Sequence, residues 1–124
     1  MHPTLPLKVI SFKHRPVYKT SLASGADVMA LLEHPVVLKR FQRLLVPTGL
    51  FVEIPEGFEV QIRSRSGLAA KNGVFVLNEP GTIDADYRGE IKVILSNQGE
   101  EDLQINDGDR ICQKVLCPVV QMEF

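Results

Sequence analysis

Three stretches of the chain carry side chains whose types and spacing can do chemistry. The first is Arg65-Ser66-Gly67-Leu68. Ser66 is placed to cap a short helix running from Gly67 to Asn72, which Gly73 would end in a left-handed turn. Free amides at such a start, a glycine that lets an oxyanion approach the main chain and an arginine fork together suit a phosphate. An ordinary capped helix with solvated arginines uses the same residues. The second stretch is Gly81–Glu90, where Asp84, Asp86 and Tyr87 lie between glycines. A carboxylate there can take a proton from water as a general base. The Asp-x-Asp pair can instead hold a divalent cation through oxygen, or both acids can be turn formers with Arg88 as a surface partner. The third is Gln113, an amide predicted on the strand face of Ile111 and Val115, which needs a partner from protein or ligand.

Other candidates are weaker. His2, His14 and His34 are scattered without metal-ligand spacing, and Cys112-x4-Cys117 lacks a second pair for zinc. The two cysteines read as small buried hydrophobes. Lys39–Arg43 reads as a solvated face, since one aromatic, Phe41, among basic residues is poor evidence for nucleic acid.

Strands are the elements that must position these residues. Eight prolines and nine glycines cut the chain into strand-sized pieces, which favours an all-β domain. Phe58, Val60 and Ile62 alternate with Glu59, Gln61 and Arg63; Ile91, Val93 and Leu95 alternate in Glu90–Asn97; Leu50, Val52 and Ile54 do the same. Pro55-Glu56-Gly57 and Asn106-Asp107-Gly108-Asp109 read as tight turns. The segment Val74–Leu77, the loop Gly81–Glu90 and the strand after it form a hairpin with a wide loop. Leu38, Phe41, Leu44 and Leu45 have helical spacing instead, bracketed by Pro35 and Pro47.

The chain's 124 residues, 44% of them hydrophobic, suffice for one domain over residues 1–124 with a sizeable core. Its net charge of −1 favours neither nucleic acid nor an anionic membrane. No apolar run is long enough to span a bilayer, Met1-His2-Pro3-Thr4 opens without a secretory pattern, and two thiols suit a reducing, cytoplasmic compartment.

Taken in order, the segments resemble the trimeric dUTP pyrophosphatases, the dUTPase family. Ser24-Gly25-Ala26-Asp27-Val28 is similar to the first family motif, and Val46-Pro47-Thr48-Gly49-Leu50 to the strand after it. Arg65-Ser66-Gly67-Leu68-Ala69 is similar to the second motif, Asn78 with Gly81–Glu90 to the third, and Gly108-Asp109-Arg110-Ile111-Cys112-Gln113 to the fourth. The resemblance implies a jelly-roll-like β-barrel with one short helix after Ser66, extended backbone rather than helix over Leu38–Val46, and a homotrimer with shared active sites. It implies hydrolysis of dUTP to dUMP and pyrophosphate, which limits uracil in DNA and supplies the thymidylate precursor.

By the same pattern Asp84 activates the attacking water and contacts the sugar 3′-hydroxyl. Tyr87 packs under the deoxyribose, and Asn78 with the main chain around Ile83 reads uracil. Arg65, Ser66, Gly67 and Gln113 bind the phosphates, and Asp27 stands behind a Mg²⁺ that the phosphates and water hold. The family's glycine-rich closing arm would follow Val119–Phe124; either a mobile tail beyond the given residues supplies it, the favoured expectation, or the lid is lacking and turnover is poor while nucleotide binding survives. A dCTP deaminase-like enzyme of the same fold, or a non-catalytic dUTPase-like nucleotide-binding or regulatory module, are the alternatives; the deaminase's active-site run does not replace Gly81–Glu90.

Overall fold

The computed structural model describes residues 2–11 and 13–124, so the opening Met1 lies outside it. Among the described residues, eleven strands and one helix follow the punctuation of the sequence. In chain order they are β1 (Lys8–Ser11), β2 (Val17–Tyr18), β3 (Ala26–Met29), β4 (Val36–Leu38), β5 (Arg43–Glu53) and β6 (Phe58–Arg63). Then come α1 (Ser66–Asn72), β7 (Val74–Val76), β8 (Gly81–Ile83), β9 (Ile91–Asn97), β10 (Leu103–Ile105) and β11 (Arg110–Pro118).

They form a four-stranded sheet in the order β1-β5-β9-β7, a five-stranded sheet in the order β2-β3-β11-β6-β8, and the pair β10-β4. Alternation decides which side of each strand faces the core. Val60 and Ile62 of β6, and Ile91, Val93 and Leu95 of β9, are buried as their spacing predicts. Leu50 and Val52 of β5, with Ile54 just beyond it, are buried in the same way. The turn at Pro55–Gly57 carries the chain from the four-stranded to the five-stranded sheet. Phe58 N–H donates to Pro55 O at 3.2 Å and Gly57 takes φ +88°, a conformation that favours glycine.

The segment from Leu38 to Val46 is not helical, against its spacing, but the extended backbone that the family resemblance implied holds only on either side of a turn at Arg40–Phe41: Leu38 ends β4 and Arg43–Val46 begin β5. Phe41 stands at φ +62° in a turn, its N–H bonded to Asn97 O at 2.7 Å, so the helical period is broken where it would have to continue. Lys39–Arg43 is exposed throughout, with the Arg40 guanidinium 4.9 Å above the Phe41 ring.

Two local expectations are corrected. Arg65, in extended conformation at φ −86° and ψ 127°, is the N-cap of α1, and no side chain caps the helix. Ser66 is therefore the first helical residue, and its hydroxyl has no hydrogen bond among the described residues. Gly73 does end the helix, at φ +65°, and a Cβ there would stand 2.6 Å from Gly99 N. In β11 a bulge between Arg110 and Cys112 breaks the face that Gln113 was expected to share with Ile111. Ile111 and Cys112 both turn inward, and Gln113 faces the other way, in register with Asp27 of β3 and Arg63 of β6.

Candidate active site

The wide loop between β7 and β9 crosses from one sheet to the other. β7 pairs with β9 at its base, while β8, inside the loop, pairs with β6 through Val60↔Ile83, Gln61↔Thr82 and Ile62↔Gly81. β8 is an edge strand: one side is spent on β6, and no strand among the described residues pairs with the other. Asp84 follows at the strand's end. Tyr87 N–H closes a turn onto Asp84 O at 3.1 Å, and Arg88 Nη1 donates to Ala85 O at 2.6 Å and to Tyr87 O at 3.1 Å. The loop is thus braced by a backbone turn and by the Arg88 side chain, and the Asp84 carboxylate is exposed with no hydrogen bond or ion pair among the described residues.

A cleft of about 210 Å³ opens here. Asn78, Gly81, Ile83, Asp84 and Tyr87 line it over a floor that includes Ile62, Val76 and Ile91. The cleft therefore presents apolar side chains, the unpaired side of a strand edge, an amide, a phenol ring and a carboxylate. That set suits a planar heterocycle carrying a sugar.

Asp27, Arg65 and Gln113 form a second group. Asp27 of β3 is 1% exposed, yet its carboxylate is fully occupied. Gln113 Nε2 donates to Oδ1 at 3.2 Å and Arg110 Nη1 to Oδ2 at 3.3 Å, while Arg65 Nε stands 3.6 Å from Oδ1. Arg65 Nη1 also donates to Arg110 O at 3.2 Å. A buried carboxylate is tolerable on these terms, with cations and donors around it. The Cys112 thiol beside it is pushed up to about 12, first by burial and then by the Asp27 charge, with Arg65 opposing. A Cβ on Gly25 would meet Gln113 Cβ and Oε1 at 3.0 Å, so Gly25 packs directly on that amide. A Cβ on Gly67 would meet nothing within 4 Å, so the main chain after Arg65 is open to an approaching oxyanion. Because α1 has only seven residues, the arginine contributes more here than the helix dipole.

The fold brings Asn78, Ile83, Asp84 and Tyr87 together in one cleft, and Asp27, Arg65 and Gln113 in another cluster. The first cleft includes none of the second group. Among the described residues no three His, Cys, Asp or Glu side chains are grouped to hold a metal ion.

Three participants escaped the sequence reading. Arg110 reaches Asp27 across the β3–β11 pairing, and Glu79 bonds to Ser64 just ahead of Arg65. These contacts join residues far apart in the chain, and no local pattern announces them.

Comparison with known proteins decides the family. A dUTPase family model matches residues 13–124. The chain belongs to the dUTPase family. It is 59% identical over 101 residues to the deoxyuridine 5′-triphosphate nucleotidohydrolase of Treponema denticola, covering 82% of this chain and 70% of that one. It is 55% identical over 117 residues to the enzyme of the same name from Chlamydia trachomatis, covering 94% of this chain and 81% of that one. The dUTPase fold is matched by the phage phi11 dUTPase of S. aureus at TM-score 0.86 and 24% identity, over 97% of this chain and 94% of that chain. A mutant of the phi11 enzyme, described as coordinating a structural Mg(II) ion, matches at TM-score 0.83 and 27% identity, over 97% and 95%. The all-β, jelly-roll-like architecture with one short helix is thus the dUTPase fold.

Proposed function

We propose that the chain is a dUTP diphosphatase, hydrolysing dUTP to dUMP and pyrophosphate by attack of water on the α-phosphorus. The observation that carries this reading is the unpartnered Asp84 carboxylate at the rim of the cleft, held at the end of β8. A carboxylate with no other bond can orient a water and take its proton, and the same group can contact the sugar 3′-hydroxyl. The names of the relatives supply the substrate.

Asn78 and the free edge of β8 at Ile83 suit the uracil edge, because a pyrimidine with alternating donors and acceptors can pair with an open strand as another strand would. An amide facing the base O4 would be left unpaired against the amino group of cytosine, which selects uracil. The Tyr87 ring forms the wall beneath the deoxyribose. Arg65, Ser66, Gly67 and Gln113 bind the phosphate chain through the guanidinium, the free hydroxyl, the open main chain and the amide.

The nucleoside cleft and the phosphate cluster occupy different places on one chain. A homotrimer that joins the cleft of one subunit to the Arg65 and Gln113 groups of its neighbours completes the site. Placement of the protein in the cytoplasm accords with its two unpaired cysteines.

The donor set also bears on the metal. Asp27 is already engaged by Arg65, Arg110 and Gln113, and no carboxylate cage is present among the described residues. On this reading Mg²⁺ would be held mainly by phosphate oxygens and water, with Asp27 behind it. When bound, Mg²⁺ supplies charge neutralisation on the phosphate chain. The residues of the chain do the rest: they place the α-phosphorus in line with the water and hold the base and sugar still.

The test is to incubate the protein with dUTP, dCTP, dTTP and UTP plus Mg²⁺ and to measure pyrophosphate and ammonia. Pyrophosphate from dUTP alone is expected, and Asp84→Asn should lower kcat by about 10²–10⁴ while largely sparing nucleotide affinity. Ammonia from dCTP, or neither product, would overturn the reading.

A further inference from the structure

Tyr87 is 44% exposed, so packing alone does not fix the height of its ring in the cleft. Two neighbours do. Its hydroxyl donates to the main-chain oxygen of Glu90 at 2.7 Å. Beneath the ring lies Gly89, where a built Cβ would stand 2.6 Å from Tyr87 Oη, 2.8 Å from Cζ and 3.1 Å from Cε1. The phenol therefore lies against bare backbone, and any side chain at position 89 must push it away. Gly89 is not among the positive-φ glycines, so the requirement is one of space.

The residue that holds the hydroxyl is itself held. Glu90 Oε2 accepts from Gly49 N–H at 3.1 Å, and Thr48 Oγ1 donates to Ile91 O at 2.5 Å. Thr48 and Gly49 sit at the register shift in β5 between Pro47 and Leu50, where Gly49 takes φ +67° and so turns its N–H out of the ladder. A bulge that looks incidental in β5 thus grips both residues at the start of β9.

We infer that Gly89, Glu90 and the Thr48–Gly49 bulge form a positioning device that sets the height of the Tyr87 ring, and thereby the choice between deoxyribose and ribose. The inference rests on the reading of Tyr87 as the wall beneath the sugar. A ring held close to the sugar leaves no space for a 2′-hydroxyl, whereas a ring free to swing admits it. Selection here is steric, so it depends on how firmly the wall is held.

The experiment compares kcat and KM for dUTP and UTP in the wild type and in Tyr87→Ala, Glu90→Ala, Glu90→Gln and Gly89→Ala, with circular dichroism confirming each fold. Glu90→Ala should raise the UTP/dUTP ratio of kcat/KM by about tenfold or more, chiefly through KM for UTP, whereas Gly89→Ala, whose Cβ drives the ring up toward the sugar, should raise KM for both nucleotides without raising that ratio. Glu90→Gln, whose amide oxygen still accepts from Gly49 N–H, should keep the wild-type ratio. If Gly89→Ala does not fold, Glu90→Ala against Glu90→Gln decides alone.

An unchanged ratio in Glu90→Ala, or equal losses in Glu90→Ala and Glu90→Gln, would overturn the inference. An unchanged ratio in Tyr87→Ala would instead overturn the underlying reading of Tyr87. A raised ratio in Tyr87→Ala with none in Glu90→Ala would leave that reading standing and remove the latch.

Discussion

The carboxylate of Glu79 bridges Ser64 at two points, accepting from its main-chain N–H at 2.5 Å and from its hydroxyl at 2.8 Å. The Ser64 hydroxyl in turn accepts from Val76 N–H at 2.9 Å. One side chain, next to Asn78, therefore fixes the residue just before Arg65-Ser66-Gly67. Ser64→Ala should cost about 1–3 kcal/mol, because it leaves the part-buried Val76 amide without its acceptor. Glu79→Ala should cost less, since Glu79 is exposed, and the double variant should cost less than the sum. Urea midpoints at one fixed protein concentration measure this; strict additivity would mean that the bridge does not form in solution.

Asp27 is the centre of the second cluster. Asp27→Asn keeps an acceptor for Gln113 but leaves Arg65 and Arg110 without their anion. Because both guanidiniums reach solvent, the expected cost is about 1–3 kcal/mol rather than the full penalty for a stranded buried charge. Denaturant titration together with calorimetric binding of a non-hydrolysed deoxyuridine nucleotide should show lower stability and weaker binding. No change in either would remove Asp27 from the scheme.

Lys114 lies in the middle of the five-stranded sheet between Ala26 and Ile62, and burial, aided by Arg15, pulls its amine down to about 8. Its folded value lies below the unfolded value of 10.5, so the native state binds the proton less well. The penalty is complete below about pH 8 and fades as pH rises toward 10.5. Lys114→Met should therefore stabilise the fold by about 1–3 kcal/mol at neutral pH. By pH 10 the difference from wild type should have narrowed; urea midpoints at pH 7 and 10 that keep the same gap would refute this.

Asp107 accepts from Lys13 Nζ, from Leu32 N–H at 3.0 Å and from His14 Nε2 at 3.1 Å, which holds its carboxyl well below the usual value of 3.8. A lowered folded value contributes stability that is fully present above pH 3.8 and is lost as pH falls through the folded value. Asp107→Asn should be less stable than wild type at pH 7 and should converge with it as the solution is acidified. Parallel acid profiles for the two proteins would show that the contacts at Asp107 carry no differential charge.

The strands were legible wherever one face is dry and the other wet, as at Phe58–Arg63 and Ile91–Leu95, because period-two alternation is a direct print of burial. Turns were legible at Gly57, Gly73 and Asn106–Asp109, where backbone conformation dictates residue type. What stayed hidden was set by contacts between distant segments. Asn97, buried despite its amide, bonds to Leu38 O and Glu101 O, and such satisfaction has no local signature. The bulge at Arg110–Cys112 reversed the face of Gln113. The Ser66 cap failed because serine capping is a preference and Arg65 already had the extended backbone that a cap position needs. For the site, the residue types at Asp84, Tyr87 and Arg65 were readable, whereas their division into two separate groups was not.

β11 lies at the centre of the five-stranded sheet, between β3 and β6, and is the last strand among the described residues. While the polypeptide is still emerging from a ribosome, β3 and β6 have no partner to share between them. That sheet can zip together only after residue 118 has cleared the exit tunnel. Until then β3 and β6 each keep one edge of unpaired N–H and C=O groups open, a template on which another chain could pair.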